Sequence, residues 1–424
     1  MAKMPHRFVV ATSVAAAAAV ALSACSASSS AADGGLSKGP VTLNYAIWDQ
    51  NQQPALKKAA DEFTKSNPNV KVDIVVVPAK DYWTKLQTQL TAGAGPDVFW
   101  LNGPNFQLYA SNNQLAPLDD AVGRDKGNYP KSLVDLYTYN GKLYGAPKDY
   151  DTIGVYYNKA LFDAAGLAYP KAGWTWEEFQ ADAKKLSDPA KGVWGTASAP
   201  YGQMTFYNTI LQAGGHIISS DGKTSGYDSP EALQGINFWN DLIKNGSSPS
   251  LQQITDTWPG DTFSSGKMGM FWDGSWAAGT YSKADGLKGH VGVAPLPAGP
   301  DSNVSVIHGL ANVANAKSKN VGWAEKLAAF LSGKQSAEIQ ATTGTVIPAY
   351  NGTQQDWVKA LPDLDAQIFL DEAKVAAPYP ISKNTAVWNA FEATQINNIY
   401  SGKTTPEQGL QDLAKQMNDA LAKE

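Results

Sequence analysis

The sequence predicts an α/β protein built around a parallel sheet. Three observations carry that expectation: a strand-helix-strand-helix-strand rhythm over residues 41–101, a nearly continuous β-branched run, and helix starts marked by capping residues. Val41, Leu43, Tyr45 and Ile47 alternate with Thr42, Asn44 and Ala46, the period of a strand, which ends at Trp48-Asp49. After Pro54, the spacing of Leu56, Ala59, Ala60 and Phe63 is helical until Ser66-Asn67-Pro68 stops it. Val70 to Val77 reads as a buried parallel strand, Asp81 as the cap of a helix over Tyr82–Leu90, and Val98–Leu101 as a third strand. In such sheets ligands bind beyond the carboxyl ends of the strands, where Trp48-Asp49 and Trp100-Leu101-Asn102 fall.

Later helices announce themselves by their caps. Thr175-Trp176-Glu177-Glu178 is a capping box, and Ser229-Pro230 places a cap before a proline at the first helical position. Thr405 and Gln408 form a second box ahead of Leu410, Leu413, Met417 and Leu421, an amphipathic closing helix. Trp176, Trp239 (with Leu233, Ile236 and Ile243) and Trp323 (with Leu327 and Phe330) read as packing residues.

Lys3 and Arg7 precede an apolar run from Phe8 to Leu22, too short to cross a bilayer comfortably. Leu22-Ser23-Ala24-Cys25 follows and resembles the lipobox of bacterial lipoproteins, which implies cleavage of a signal peptide over residues 1–24 and lipidation of Cys25, the only cysteine. Eleven of the 15 residues from Ser26 to Pro40 are Ser, Ala or Gly, so residues 25–40 read as a flexible linker. The remaining chain exceeds one compact core and implies two domains. Without Lys3 and Arg7 it holds 32 basic against 39 acidic residues, a net of −7, with no basic run to attract nucleic acid. Arg124 is its only arginine, which argues against strongly anionic ligands.

Motifs of catalysis and cofactor binding are mostly missing from the sequence. Gly93-Ala94-Gly95 follows a predicted helix and lacks the third glycine of a dinucleotide fingerprint; Gly222-Lys223-Thr224 and Gly402-Lys403-Thr404 lack the upstream glycine of a P-loop. No histidine pair has metal-ligand spacing, and no Gly-x-Ser-x-Gly elbow exists. No metal or cofactor is expected. A glycosidase needs only two suitably spaced carboxylates, and Asp49, Asp149, Asp151 and Asp273 keep that alternative open, although carboxylates also bind sugar hydroxyls without chemistry.

Gly154-Val155-Tyr156-Tyr157-Asn158-Lys159 followed by Trp174-Thr175-Trp176-Glu177-Glu178-Phe179 resembles the signature of bacterial extracellular solute-binding proteins, in particular the maltose-binding-protein-like group serving ABC sugar importers. Pro96–Trp100, Phe263–Met270, Asp273-Gly274-Ser275-Trp276 and the last 40 residues, with Trp388, match further segments of that family, although Met268-Gly269-Met270 replaces its commoner alanine pair. The resemblance implies a periplasmic-binding-protein-like α/β fold: two discontinuous lobes, a hinge of three crossings and a ligand cleft between them. The crossings are expected near Gly145–Thr152, Val304–Gly309 and Ala349–Lys359. One lobe would comprise residues 41–148 and 306–352, the other 149–305 and 353–424.

The resemblance further implies a non-enzymatic protein on the extracellular face of the cytoplasmic membrane, held there by lipid alone. It would be a monomer that hands a sugar, an oligosaccharide in particular, to ABC permease subunits. The expected ligand-binding residues are Trp48, Asp49, Trp100, Asn102, Asp149, Asp151, Tyr201, Trp258, Trp272, Asp273, Trp276, His308, Gly309 and Trp388. Aromatic faces suit the C–H faces of sugar rings, and Asp, Asn and Gln suit their hydroxyls. A surface glycoside hydrolase and a binder of a non-sugar solute such as a peptide or polyamine remain alternatives.

Overall fold

The computed structural model describes residues 36–383 and 385–424, so the predicted signal peptide and Cys25 lie outside the described residues. The first strands follow the expected rhythm: β1 (Val41–Ile47), β2 (Val70–Val76) and β3 (Val98–Asn102), with helices Gln53–Ser66 and Ala79–Thr91 between them. A short hairpin, β4 (Thr138–Tyr139) and β5 (Lys142–Leu143), precedes β6 (Gly145–Asp151) and β7 (Ile153–Asn158). After a helical stretch come β8 (Met270–Gly274), β9 (Val291–Ala294), β10 (Val306–Ala314), β11 (Ile347–Pro348) and β12 (Ala377–Pro378).

These strands form two main sheets. The larger has the order β11-β6-β10-β3-β1-β2, with β12 beside β10. β1 pairs in parallel with both β2 and β3, as the alternation of strand and helix requires, whereas β10 runs antiparallel to β3 and β6. The sheet is therefore mixed. The smaller sheet, β8-β7-β9, is antiparallel throughout. Only Thr152 separates β6 from β7, so the chain leaves one sheet and enters the other within a residue. Thr152 is buried, and its hydroxyl donates to the Phe369 carbonyl at 2.9 Å. Ser305, just before β10, accepts from the Ile153 amide through its Oγ at 2.9 Å, which ties the two passages together.

Local chemistry explains where the details differ from expectation. β2 lies at the sheet edge with a partner on one side only, so Lys71 and Val75 are exposed and the run is less buried than its β-branched sequence suggests. Helix Ala79–Thr91 starts after Pro78, which leaves Asp81 in its first turn rather than at the cap. The Thr175–Glu178 box is reciprocal as predicted. At the closing helix Pro406–Leu421, Thr405 accepts from the Gln408 amide at 3.3 Å, but the Gln408 side chain bonds Asp412 at 3.0 Å instead of returning to the cap. Residues 36–40, read as the end of a flexible linker, are held on the body: Leu36 packs against the core, and the Ser37 carbonyl accepts from Trp323 Nε1 and Asn69 Nδ2, both at 3.1 Å.

Two apolar cores stabilise this arrangement. One holds Leu43, Tyr45, Leu56, Phe99 and Leu327 about the larger sheet and extends to Tyr156, Phe271 and Val293 of the smaller; the other packs Phe179, Trp239, Trp272 and Leu413. Trp176, Trp239 and Trp323 are all buried, as helical spacing predicts.

Candidate functional site

A cleft of about 600 Å³ opens where the ends of β1 and β3 meet the β6–β10 pair and the segment after β8. Trp48, Asp49, Gln52 and Asn102 contribute from the side of β1 and β3; Asp149, Tyr150, Asp151, His308 and Leu310 come from β6 and β10. Gln203, Trp258, Asp261, Asp273, Ser275, Trp276 and Tyr281 also line it.

Backbone geometry fixes the polar groups. Asp49 ends β1 and accepts from the Asn51 amide at 2.9 Å and from Gln52 Nε2 at 3.0 Å. Gln52 in turn accepts from the Lys148 ammonium at 2.6 Å. Lys148 is buried beneath the cleft, bonded also to Asp149 and placed 4.6 Å over the Trp100 ring, so its charge is fully engaged. Asp149 spends its other oxygen on the Leu310 amide at 3.0 Å. Asn102 Oδ1 accepts from Asn105 at 2.8 Å at the start of helix Gly103–Ser111.

Burial displaces the protonation of Asp151, Asp273 and His308. Loss of solvent, then the neighbouring Asp149 and Asp273 charges, push Asp151 well above the carboxylate range, although it accepts from Gln203. Burial raises Asp273 to about 7 against the bonds it accepts from Tyr281 Oη at 2.5 Å and the Gly274 amide at 2.8 Å. Burial lowers His308 to about 4, so it is neutral at ordinary pH, and its Nε2 accepts from the Gly103 amide at 3.2 Å.

Indoles frame these groups. Trp48 is half-buried and meets Tyr82 and Trp100 edge-on, each at 4.9 Å. Trp258 is 38% exposed and stands edge-on to Tyr201 at 5.3 Å. Trp276 folds over Gly274 so closely that a Cβ there would lie 2.0 Å from its ring.

Nine expected residues thus line one cleft: Trp48, Asp49, Asn102, Asp149, Asp151, Trp258, Asp273, Trp276 and His308. Tyr201 is exposed against Trp258 but outside the lining, and Gly309 is strand backbone opposite Tyr150, where a Cβ would strike the Asp149 carbonyl at 2.4 Å. Trp100, Trp272 and Trp388 require correction, since all three are fully buried in the cores. Trp100 lies in a central strand beneath Trp48 and donates to Tyr45 Oη at 2.6 Å. Trp272 packs on Trp239 and Phe179 because alternation along β8 turns it away from the face that Asp273 occupies. Trp388 donates to Ser382 Oγ at 2.9 Å inside the second core. Gln52, Gln203, Asp261, Ser275 and Tyr281 were not expected. Gln52 sits three residues after Asp49 at the same strand end, a signal that was available; Gln203 arrives from a loop with none.

Residues 48–338 match the family model of the bacterial extracellular solute-binding proteins, more than half of the chain. The chain is 25% identical over 383 residues to the galactooligosaccharide-binding protein of Bacillus subtilis (strain 168), covering 87% of each chain. Its fold is similar to that of the ABC substrate-binding protein Lmo0181 from Listeria monocytogenes in complex with cycloalternan, with a TM-score of 0.85, 27% identity, and 90% and 99% of the two chains covered. Maltose-bound MalE3 of T. maritima shares the fold at a TM-score of 0.80 and 24% identity, over 90% of this chain and all of that one.

Proposed function

We propose that this chain, which belongs to the bacterial extracellular solute-binding proteins, captures a carbohydrate in its cleft and delivers it to the permease of an ABC importer. The observation that carries the reading is the lining itself: three indoles open to the cleft, Trp48, Trp258 and Trp276, around carboxylate and amide groups. Indole faces stack on the apolar C–H faces of sugar rings, while Asp and Gln exchange hydrogen bonds with hydroxyls. The volume lies within the range of about 300–1,000 Å³ typical of small-molecule sites and leaves room beyond a single sugar ring, so an oligosaccharide is the favoured ligand. The names of the B. subtilis and L. monocytogenes proteins point the same way.

Ligand capture works through the two lobes. We assign residues 41–148 and 306–352 to one and 149–305 and 353–424 to the other; packing of Phe369 on Tyr156 of β7 at 5.7 Å supports grouping the last segment with the smaller sheet. The passages at Thr152 and Ser305 are short enough to act as hinges. A ligand touching both walls favours the closed form by its differential affinity, and the permease reads that form. Cys25 carries the lipid that keeps the protein on the extracellular face of the membrane, with its body free to meet the permease as a monomer.

A thermal-shift screen of mono- and oligosaccharides, peptides and polyamines tests the reading, because a ligand at 100 times its Kd stabilises by about 2.7 kcal/mol. Stabilisation by a carbohydrate, without release of reducing ends, is the expected result. Stabilisation by peptides or polyamines alone contradicts it, and release of reducing ends would make the protein a hydrolase.

A further inference from the structure

Lys148 carries its charge into the protein interior. It lies in β6 behind the floor of the cleft, is 1% exposed and does not line the cleft itself. Its ammonium bonds the Asp149 carboxylate and Gln52 Oε1, the latter at 2.6 Å, and stands 4.6 Å from the centre of the Trp100 ring. A buried ion pair gives no more stability than apolar side chains of similar volume, so stability alone does not account for Lys148. What an apolar side chain could not do is orient Gln52. An ammonium only donates and a carboxylate only accepts. With Lys148 on one side and Asp49 on the other, the Gln52 amide has one arrangement: Oε1 toward the lysine and Nε2 toward Asp49 Oδ2, at 3.0 Å.

This arrangement holds Asp49 by both oxygens. Oδ1 accepts from the Asn51 amide at 2.9 Å and Oδ2 from Gln52, and each oxygen keeps a second lone pair. Unlike Lys148 and Gln52, Asp49 is only half-buried and lines the cleft, so its carboxylate is within reach of a ligand. We propose that Lys148 is a positioning residue for the carbohydrate: through Gln52 it fixes the Asp49 carboxylate beside Trp48 to receive the hydrogens of sugar hydroxyls, without touching the sugar. This proposal rests on the carbohydrate reading above. The same ammonium backs the neighbouring indole, since Trp48 stands edge-on to the Trp100 ring at 4.9 Å. Trp48 and Asp49, adjacent at the end of β1, are thus both supported from one residue of β6. A carboxylate already held in place loses less freedom on binding than one free to rotate.

The test is calorimetric titration at neutral pH with maltotriose, galactobiose, cellobiose and xylobiose, the tightest binder serving for every variant. Gln52→Glu keeps the shape and the bond from Lys148 but meets Asp49 with a like charge instead of a donor. Gln52→Leu removes both bonds and leaves the Lys148–Asp149 pair in place. Each should weaken binding about three- to tenfold. In an Asp49→Ala background the same changes should have almost no further effect. A purely structural role for Gln52 would instead leave the affinity of folded Gln52→Glu unchanged. Lys148→Met, similar in length but uncharged, should lose affinity to a similar extent and again only while Asp49 is present, with thermal melts measuring the folded fraction. Wild-type affinity in both Gln52 variants or in Lys148→Met, or losses that persist undiminished without Asp49, would overturn the relay and leave the carbohydrate reading standing. If peptides or polyamines stabilise the protein and no carbohydrate does, both fall.

Discussion

Replacing Gly274 with alanine should weaken ligand binding through a residue the alanine itself never presents to the ligand. Gly274 has φ −80° and ψ 166°, which any residue adopts, so the backbone bears no new strain. The added Cβ would instead lie 2.0, 2.2 and 2.3 Å from three atoms of the Trp276 indole, where ordinary contact begins near 3.4 Å, so the ring must withdraw by about 1.4 Å or rotate. Trp276 is half-buried and packs against both apolar cores, with the cleft beside it, so displacement removes the indole from its stacking position and also costs some stability. An aromatic contact is worth about 0.5–1.5 kcal/mol beyond its buried area, and the expected loss of affinity is about two- to tenfold. Titration calorimetry with the best sugar from the screen measures it, and a thermal melt confirms the fold. The decisive control is the double variant: in a Trp276→Ala background, Gly274→Ala should have almost no further effect. Wild-type affinity in both single variants, or an undiminished effect in the double variant, would refute the assignment of Trp276 to the ligand.

The other predictions concern stability and anchoring. Trp388→Ala should destabilise the protein by about 3–5 kcal/mol because the indole is fully buried, while sugar affinity of the folded fraction stays unchanged; denaturant unfolding and calorimetry measure the two. Glu392, buried among Tyr207 and Tyr227, is raised from 4.5 to about 7, so the folded state holds its proton longer than the unfolded state, and stability is lost as pH rises across that interval. Glu392→Gln should therefore show a smaller fall in melting temperature from pH 4.5 to 7 than wild type; an unchanged fall removes Glu392 as its source. Cys25→Ala should move the protein from the membrane pellet to the soluble fraction, and retention in the pellet would contradict lipid anchoring.

Much of the fold was legible because it is local. β1, β3 and their helices follow directly from two periodicities, and the Thr175–Glu178 cap from four adjacent residues. The antiparallel course of β10 was not, since it depends on pairing with β3 and β6, each more than 150 residues earlier in the chain. The same division runs through the site. Trp48, Asp49 and Asn102 follow from the rule that ligands meet strand ends, but that rule does not separate Trp48 from Trp100, which lies one layer deeper under it. Trp272 could have been excluded from the sequence: if Asp273 faces the cleft, the preceding residue of the same strand faces the core. Gln203 was invisible because its place is set by a tertiary bond to Asp151.

A crystal structure of the protein with its best-stabilising sugar tests the central claim most directly. The account predicts sugar rings in the cleft, against Trp48 on one side and Trp276 or Trp258 on the other, with hydroxyl groups bonded to Asp49, Asp151 or Asp273. A sugar bound elsewhere, or a cleft left empty while the same sugar stabilises the protein in solution, would contradict it.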